Sequence, residues 1–128
     1  MILLSLCNNQ IEELPNAIFN KTNNLEILDL GYNQLSDLAI GLFDNLVRLL
    51  VLKVPGNFIK YINMGDFRNN VKLQTLEVQN NRIVSVFKDR SHQLTNLQFV
   101  NLSHNVIHSI DGHTFVNNTG IQTLDLRH

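Results

Sequence analysis

The chain has one cysteine, Cys7, so no disulfide framework can form within it. The lone thiol, at a strand position, reads as a free and partly buried side chain rather than a metal or redox ligand. Charge is nearly balanced, with 10 basic and 11 acidic residues and a net charge of -1. That gives no reason to expect nucleic acid or an anionic membrane as a partner. No apolar run approaches the length of a transmembrane helix, so this segment does not insert into a membrane. The opening Met1-Ile2-Leu3-Leu4-Ser5-Leu6 is apolar but lacks a basic leader and a cleavage site, and reads as a strand. There is no glycine-rich phosphate loop and no serine-nucleophile motif. Gly56 follows Pro55 and reads as a turn at a strand end.

Catalysis needs groups that converge, and none do. His104, His108, His113 and His128 are dense toward the C-terminus. His104 and His108 are four apart, a metal-ligand spacing on a helix, but they straddle Asn105 at a strand-to-turn corner and should diverge. They read as turn and surface residues, with a pH-sensitive contact as the alternative. Asp37, Asp44, Asp66 and Asp89 lie in loops without a shared partner. The sequence points to no enzyme activity, no cofactor and no metal.

What is present is a period. Asn9, Asn33, Asn57, Asn81 and Asn105 recur every 24 residues, each followed two positions later by Ile11, Leu35, Ile59, Ile83 or Ile107. Self-similarity of this length signals stacked repeats. In register the chain reads Leu25-x-x-Leu28-x-Leu30-x-x-Asn33-x-Leu35-x-x-Leu38. Copies follow at Leu49, Leu52, Val54, Asn57, then Leu73, Leu76, Val78, Asn81, then Leu97, Val100, Leu102, Asn105. A partial copy opens the chain (Leu4, Leu6, Asn9, Ile11, Leu14) and another closes it (Ile121, Leu124, Leu126).

Leu28 and Leu30 alternate around Asp29, the period of a strand with one buried face. One such strand cannot bury its apolar side alone. Copies stacked about 4.8 Å apart make a parallel sheet over one continuous core. Each asparagine sits where the chain turns away, and its amide can both donate to and accept from turn backbone. The five form a structural ladder. Phe19, Phe43, Phe67 and Phe115 recur in the second half of the repeats and read as a packed spine. Ser91 interrupts it, with Phe87 expected to fill part of the space.

The spacing resembles the leucine-rich repeat pattern LxxLxLxxNxLxxL, and the resemblance covers the whole chain. It implies an α/β repeat solenoid: a horseshoe segment with a concave parallel β-sheet and an irregular convex side. The 128 residues form one array. It divides into a partial repeat 1–24, repeats 25–48, 49–72, 73–96 and 97–120, and a partial repeat 121–128. Neither end carries the cysteine cluster that usually caps extracellular members. The chain is therefore expected to be a piece of a longer array, able to self-associate through uncapped ends.

A 24-residue repeat with a phenylalanine about ten positions after the asparagine is similar to the typical class of animal extracellular proteins. These include Toll and Toll-like receptor ectodomains, Slit-like proteins and secreted insect immune proteins. Longer ribonuclease-inhibitor repeats, plant repeats with Gly-x-Ile-Pro and shorter bacterial repeats fit less well. The resemblance implies a non-catalytic module that binds a protein ligand or co-receptor, within a cell-surface receptor or a secreted adhesion or immune protein. The alternative is an intracellular, cytoplasmic scaffold or regulator.

Three glycosylation sequons occur, at Asn20, Asn101 and Asn117. Asn20 and Asn117 fall in outward parts of their repeats and are the candidate glycan sites. Asn101 falls on the expected binding face, where a glycan would obstruct it. The candidate face comprises the strand positions between the core leucines: Ile27, Asp29, Val51, Lys53, Thr75, Glu77, Phe99, Asn101, Thr123 and Asp125, with Tyr32 and His104 just beyond. Ile27, Val51 and Phe99 form an apolar column, and Tyr32 is an aromatic anchor of the kind enriched in interfaces. Asp29, Lys53 and Glu77 alternate in sign on neighbouring strands, so a solvated lateral charge ladder is the competing reading.

Overall fold

A computed structural model of the protein describes residues 2–87 and 94–128. The strands among them are β1 (Leu3–Ser5), β2 (Ile27–Asp29), β3 (Val51–Lys53), β4 (Tyr61–Asn63), β5 (Thr75–Glu77), β6 (Ser85–Phe87), β7 (Phe99–Asn101), β8 (Ser109–Ile110) and β9 (Thr123–Asp125). None exceeds three residues. From β2 to β7 each places one apolar side chain inward between two outward ones, the least that stacking requires.

Two parallel sheets result. The first has six strands in the order β1-β2-β3-β5-β7-β9, and the second has three, β4-β6-β8. The register is the sequence period: Leu4, Leu28, Leu52, Leu76, Val100 and Leu124 lie side by side. Leu28, Leu52, Leu76 and Val100 are wholly buried, as are Ile62 and Val86 of the second sheet. Both sheets thus face one core, and each buried Leu, Ile or Val contributes about 1.5–3 kcal/mol of apolar transfer. The connections on the far side are turns. One 3-10 turn, Met64–Phe67, is capped by the Asn63 side chain, which accepts from the Gly65 N–H at 2.9 Å. No α-helix occurs among the described residues, so the far side is irregular.

The ladder asparagines tie the layers together. Asn57 Nδ2 donates to Leu30, Val54 and Pro55 carbonyls at 3.1, 3.3 and 3.1 Å, while its Oδ1 accepts from Leu35 N–H at 3.0 Å. Asn33, Asn81 and Asn105 repeat this set, each reaching one carbonyl and one N–H of the preceding repeat. All four are buried. Asn9 differs: it is exposed and bonds only its own turn, to Leu6 and Cys7 carbonyls at 3.0 and 3.2 Å.

Phe19, Phe43 and Phe67 stack with ring centroids 6.4 and 5.8 Å apart. Phe115 is only partly buried against the core. Phe87 does not fill the spine. It is 51% exposed on β6, tilted against Tyr61 at 6.1 Å, because the β4–β6 register turns Val86 inward and Phe87 out. Ser91, where the spine is interrupted, and Asp89 lie outside the described residues. A second asparagine position carries weight on this side. Buried Asn70 donates to Phe43 and Leu46 carbonyls at 2.9 and 3.0 Å, and Asn118 to Leu94 at 2.7 Å.

Candidate protein-binding face

In β2, β3, β5 and β7 the middle residue is buried and both neighbours are partly exposed. The first sheet therefore brings Ile27, Val51, Thr75, Phe99 and Thr123 into one lateral column, and Asp29, Lys53, Glu77, Asn101 and Asp125 into the next. Neighbouring members are directly paired strand residues.

The polar column has structural duties that a sequence does not display. Asp29 Oδ1 accepts from Gly31 N–H at 2.9 Å, Asn101 Oδ1 from Ser103 N–H at 3.0 Å, and Asp125 Oδ1 from Arg127 N–H at 3.1 Å. Each is a side-chain turn that caps the strand end. Lys53 and Glu77 instead pair across strands at 3.5 Å, and Gln79 Nε2 donates to Glu77 at 3.4 Å. Arg127 grips Asp125 at 2.7 Å. Its hydrogen bonds lower the Asp125 carboxyl to about 2. Asp29 has no ion-pair partner among the described residues.

The rim beyond the column has its own backbone rule. Asn8, Tyr32, Gly56, Asn80 and His104 all take positive φ, between 54° and 64°. Each sends its N–H to the next repeat: Tyr32 to Pro55 O at 2.7 Å, Gly56 to Gln79 O at 3.0 Å, Asn80 to Ser103 O at 3.1 Å. The left-handed region suits Gly and Asn, while a bulky residue there is an outlier. Tyr32 is that outlier, and its ring lies on Gly56. A Cβ at Gly56 would sit 2.4 Å from Tyr32 Cδ1, and one at Gly31 would sit 2.9 Å from Pro55 Cγ. The two dipeptides Gly31-Tyr32 and Pro55-Gly56 interlock, each glycine seating the other's ring.

A profile of the leucine rich repeat family matches residues 3–59 and 71–128. The chain belongs to the leucine-rich repeat family. Solved structures align over its whole length. Toll of Drosophila in complex with Spatzle has a TM-score of 0.93 and 26% identity, covering 100% of this chain and 17% of that one. TLR13 in complex with ssRNA13 has a TM-score of 0.91 and 29% identity, covering 98% of this chain and 18% of that one. A leucine-rich repeat protein of Leptospira interrogans has a TM-score of 0.85 and 26% identity, covering 99% and 32%. The chain thus spans less than a third of each. No curated protein matches it in sequence.

Elsewhere on this leucine-rich repeat chain, the convex acids are not as scattered as their spacing implies. Asp44 pairs with Arg68 at 2.9 Å. Asp66 is raised above the ordinary carboxylate range by burial first and by Asp37 second, with Asp44 adding and Arg68 opposing. Of the sequons, exposed Asn20 accepts at Oδ1 from Asn45 Nδ2 at 2.8 Å. Asn117 is partly buried. Asn101 Oδ1 is held by the Ser103 hydroxyl at 2.6 Å. Cys7 is a free, partly exposed thiol that accepts from the Ser5 hydroxyl at 3.1 Å. Among the described residues no helix is long and apolar enough to cross a membrane.

Proposed function

We propose that this leucine-rich repeat array is a protein-recognition surface of an extracellular or cell-surface protein, in a receptor or a secreted adhesion or immune protein. The carrying observation is a division of labour on the first sheet. Buried middle positions are uniformly aliphatic, whereas the two outward columns differ in chemistry from strand to strand. A surface built this way is rigid and individually addressable at each repeat. Toll and TLR13, which align with the chain, support a receptor setting. Asn20 and Asn117 are proposed as glycan carriers on the opposite side, leaving the sheet clear.

The experiment replaces Tyr32, Lys53, Glu77 and Phe99 singly by Ala in the full-length protein and measures binding to its protein partner. Lys60, exposed outside the sheet face, serves as control. Sheet-face variants should weaken binding without lowering stability. Loss confined to Lys60→Ala overturns the assignment. Endoglycosidase treatment of the protein from a eukaryotic secretory host should shift its mass, and Asn20→Gln should remove part of that shift. A secreted protein whose mass does not change would refute the glycan sites.

A further inference from the structure

Tyr32 occupies a backbone position that its side chain disfavours. In the four equivalent places the chain uses Asn8, Gly56, Asn80 and His104, types that tolerate positive φ or are enriched there. A large aromatic residue in this region is strained. Core burial does not explain it, because the side chain is 54% exposed. The neighbouring repeat is also shaped for it: Gly56 is the residue whose missing Cβ leaves room for the ring. The result is an aromatic ring seated over Gly56 of the neighbouring repeat. Strain at a residue that stays half exposed marks a group presented to something else.

The charge beside it says what. Asp29 ends the same strand, and its Oδ1 is committed to Gly31 N–H, next to Tyr32 in the chain. Along the outward polar column, Glu77 is matched by Lys53 and Asp125 by Arg127, while Asp29 has no ion-pair partner among the described residues. Lys53, opposite Asp29 on the next strand, ion-pairs with Glu77 instead. An exposed aromatic ring three residues along the chain from a carboxylate without an ion-pair partner suits a planar cation, which stacks on the ring and donates to the carboxylate. Guanidinium meets both demands better than ammonium.

We propose that Tyr32 and Asp29 form a rim subsite for an arginine side chain of a protein partner. The proposal rests on the sheet face being the recognition surface and names one of its contacts.

The test is a titration with blocked pentapeptides of four glycines around a central arginine, norleucine or glutamate. The chain has two tyrosines, so ring signals of Tyr32 can be followed with Tyr61 as an internal control. The arginine peptide should give saturable shifts at Tyr32 only. Norleucine and glutamate should bind about tenfold more weakly, the size expected for an exposed cation–π contact and a salt bridge acting together.

Tyr32→Asn should abolish the response while keeping or raising the denaturation midpoint, since asparagine already takes this backbone at Asn8 and Asn80. Asp29→Asn should weaken arginine binding yet keep the turn, as Asn101 does in β7. Equal binding of norleucine, or an unchanged arginine affinity in Asp29→Asn, would overturn the subsite. So would a Tyr32→Asn variant that is less stable than the parent, because the ring would then be there for packing. If arginine fails but Lys53, Glu77 and Phe99 variants still lose the protein partner, only the subsite falls and the recognition face stands.

Discussion

Replacing Asn57 by Leu separates what the ladder holds from what it merely touches. Of its four backbone partners, three keep another donor. Leu30 O still accepts from Asn33 Nδ2 at 3.0 Å, Val54 O from Asn81 Nδ2 at 2.9 Å, and Pro55 O from Tyr32 N–H at 2.7 Å. Leu35 N–H has Asn57 Oδ1 as its acceptor at 3.0 Å and no second one among the described residues. It would be left buried and unpaired, at a cost of about 1–3 kcal/mol. The three weakened carbonyls add a smaller loss, so about 3 kcal/mol in all is expected. Asn9 supplies the control within the same chain. It is exposed, bonds only two carbonyls of its own turn and leaves no N–H stranded, so Asn9→Leu should cost below about 1 kcal/mol. Denaturant titrations of both variants, read as midpoints with unchanged slope, give the comparison. Agreement of the two within about 0.5 kcal/mol would refute the claim that cross-repeat acceptance, rather than turn geometry, makes these asparagines structural.

Phe43, stacked on both Phe19 and Phe67, should cost about 3–5 kcal/mol as Phe43→Ala, whereas exposed Phe87→Ala should cost far less; equal losses in denaturant would contradict the stack. Among the described residues, Ile107 N–H has no asparagine acceptor of the kind that Ile59 and Ile83 have. A fused repeat carrying asparagine next after His128 should slow its hydrogen exchange, and no change would argue against the ladder's transferability. Asp66 has a raised folded-state value, so its charge opposes folding at neutral pH and the opposition disappears as pH falls through that value. Asp66→Asn should therefore raise the midpoint at neutral pH and lose this advantage in acid. Asp125 runs the other way: its stabilisation is present above the ordinary 3.8 and is lost between 3.8 and about 2. Arg127→Ala should reduce that acid-side dependence in a pH titration of stability without abolishing it, because the backbone N–H of residue 127 still donates to Asp125.

The period was legible because core positions answer to local rules. Leu28 and Leu30 must be apolar to be buried, and any repeat that breaks the pattern would leave a hole in a shared core. The outward residues obey no such rule, and their roles depend on side chains 24 positions away. Nothing in the string says that Gly56 is small for the sake of Tyr32, or that Asp29, Asn101 and Asp125 bond turn N–H groups while Lys53 and Glu77 pair. The positive-φ column could have been suspected from Asn8, Gly56 and Asn80, since these types share that tolerance, but Tyr32 hides it. The second sheet was illegible for another reason: Tyr61, Ser85 and Ser109, which lie in register, are too unlike to show a strand period. Phe87 was misread because aromatic residues are usually buried; the register of Val86 decides otherwise.

The strands lie across the long direction of the array, with β1 at one end and β9 at the other. Tension applied at the two ends therefore loads the inter-strand hydrogen bonds along their own axes, one row after another, and does not shear a whole sheet at once. Such an object peels. Each released layer frees 24 residues of contour, about 80 Å of extended chain less the roughly 5 Å it occupied in the stack. A protein of this build held between two anchors would act as a graded extensible tether, lengthening in equal steps at low force.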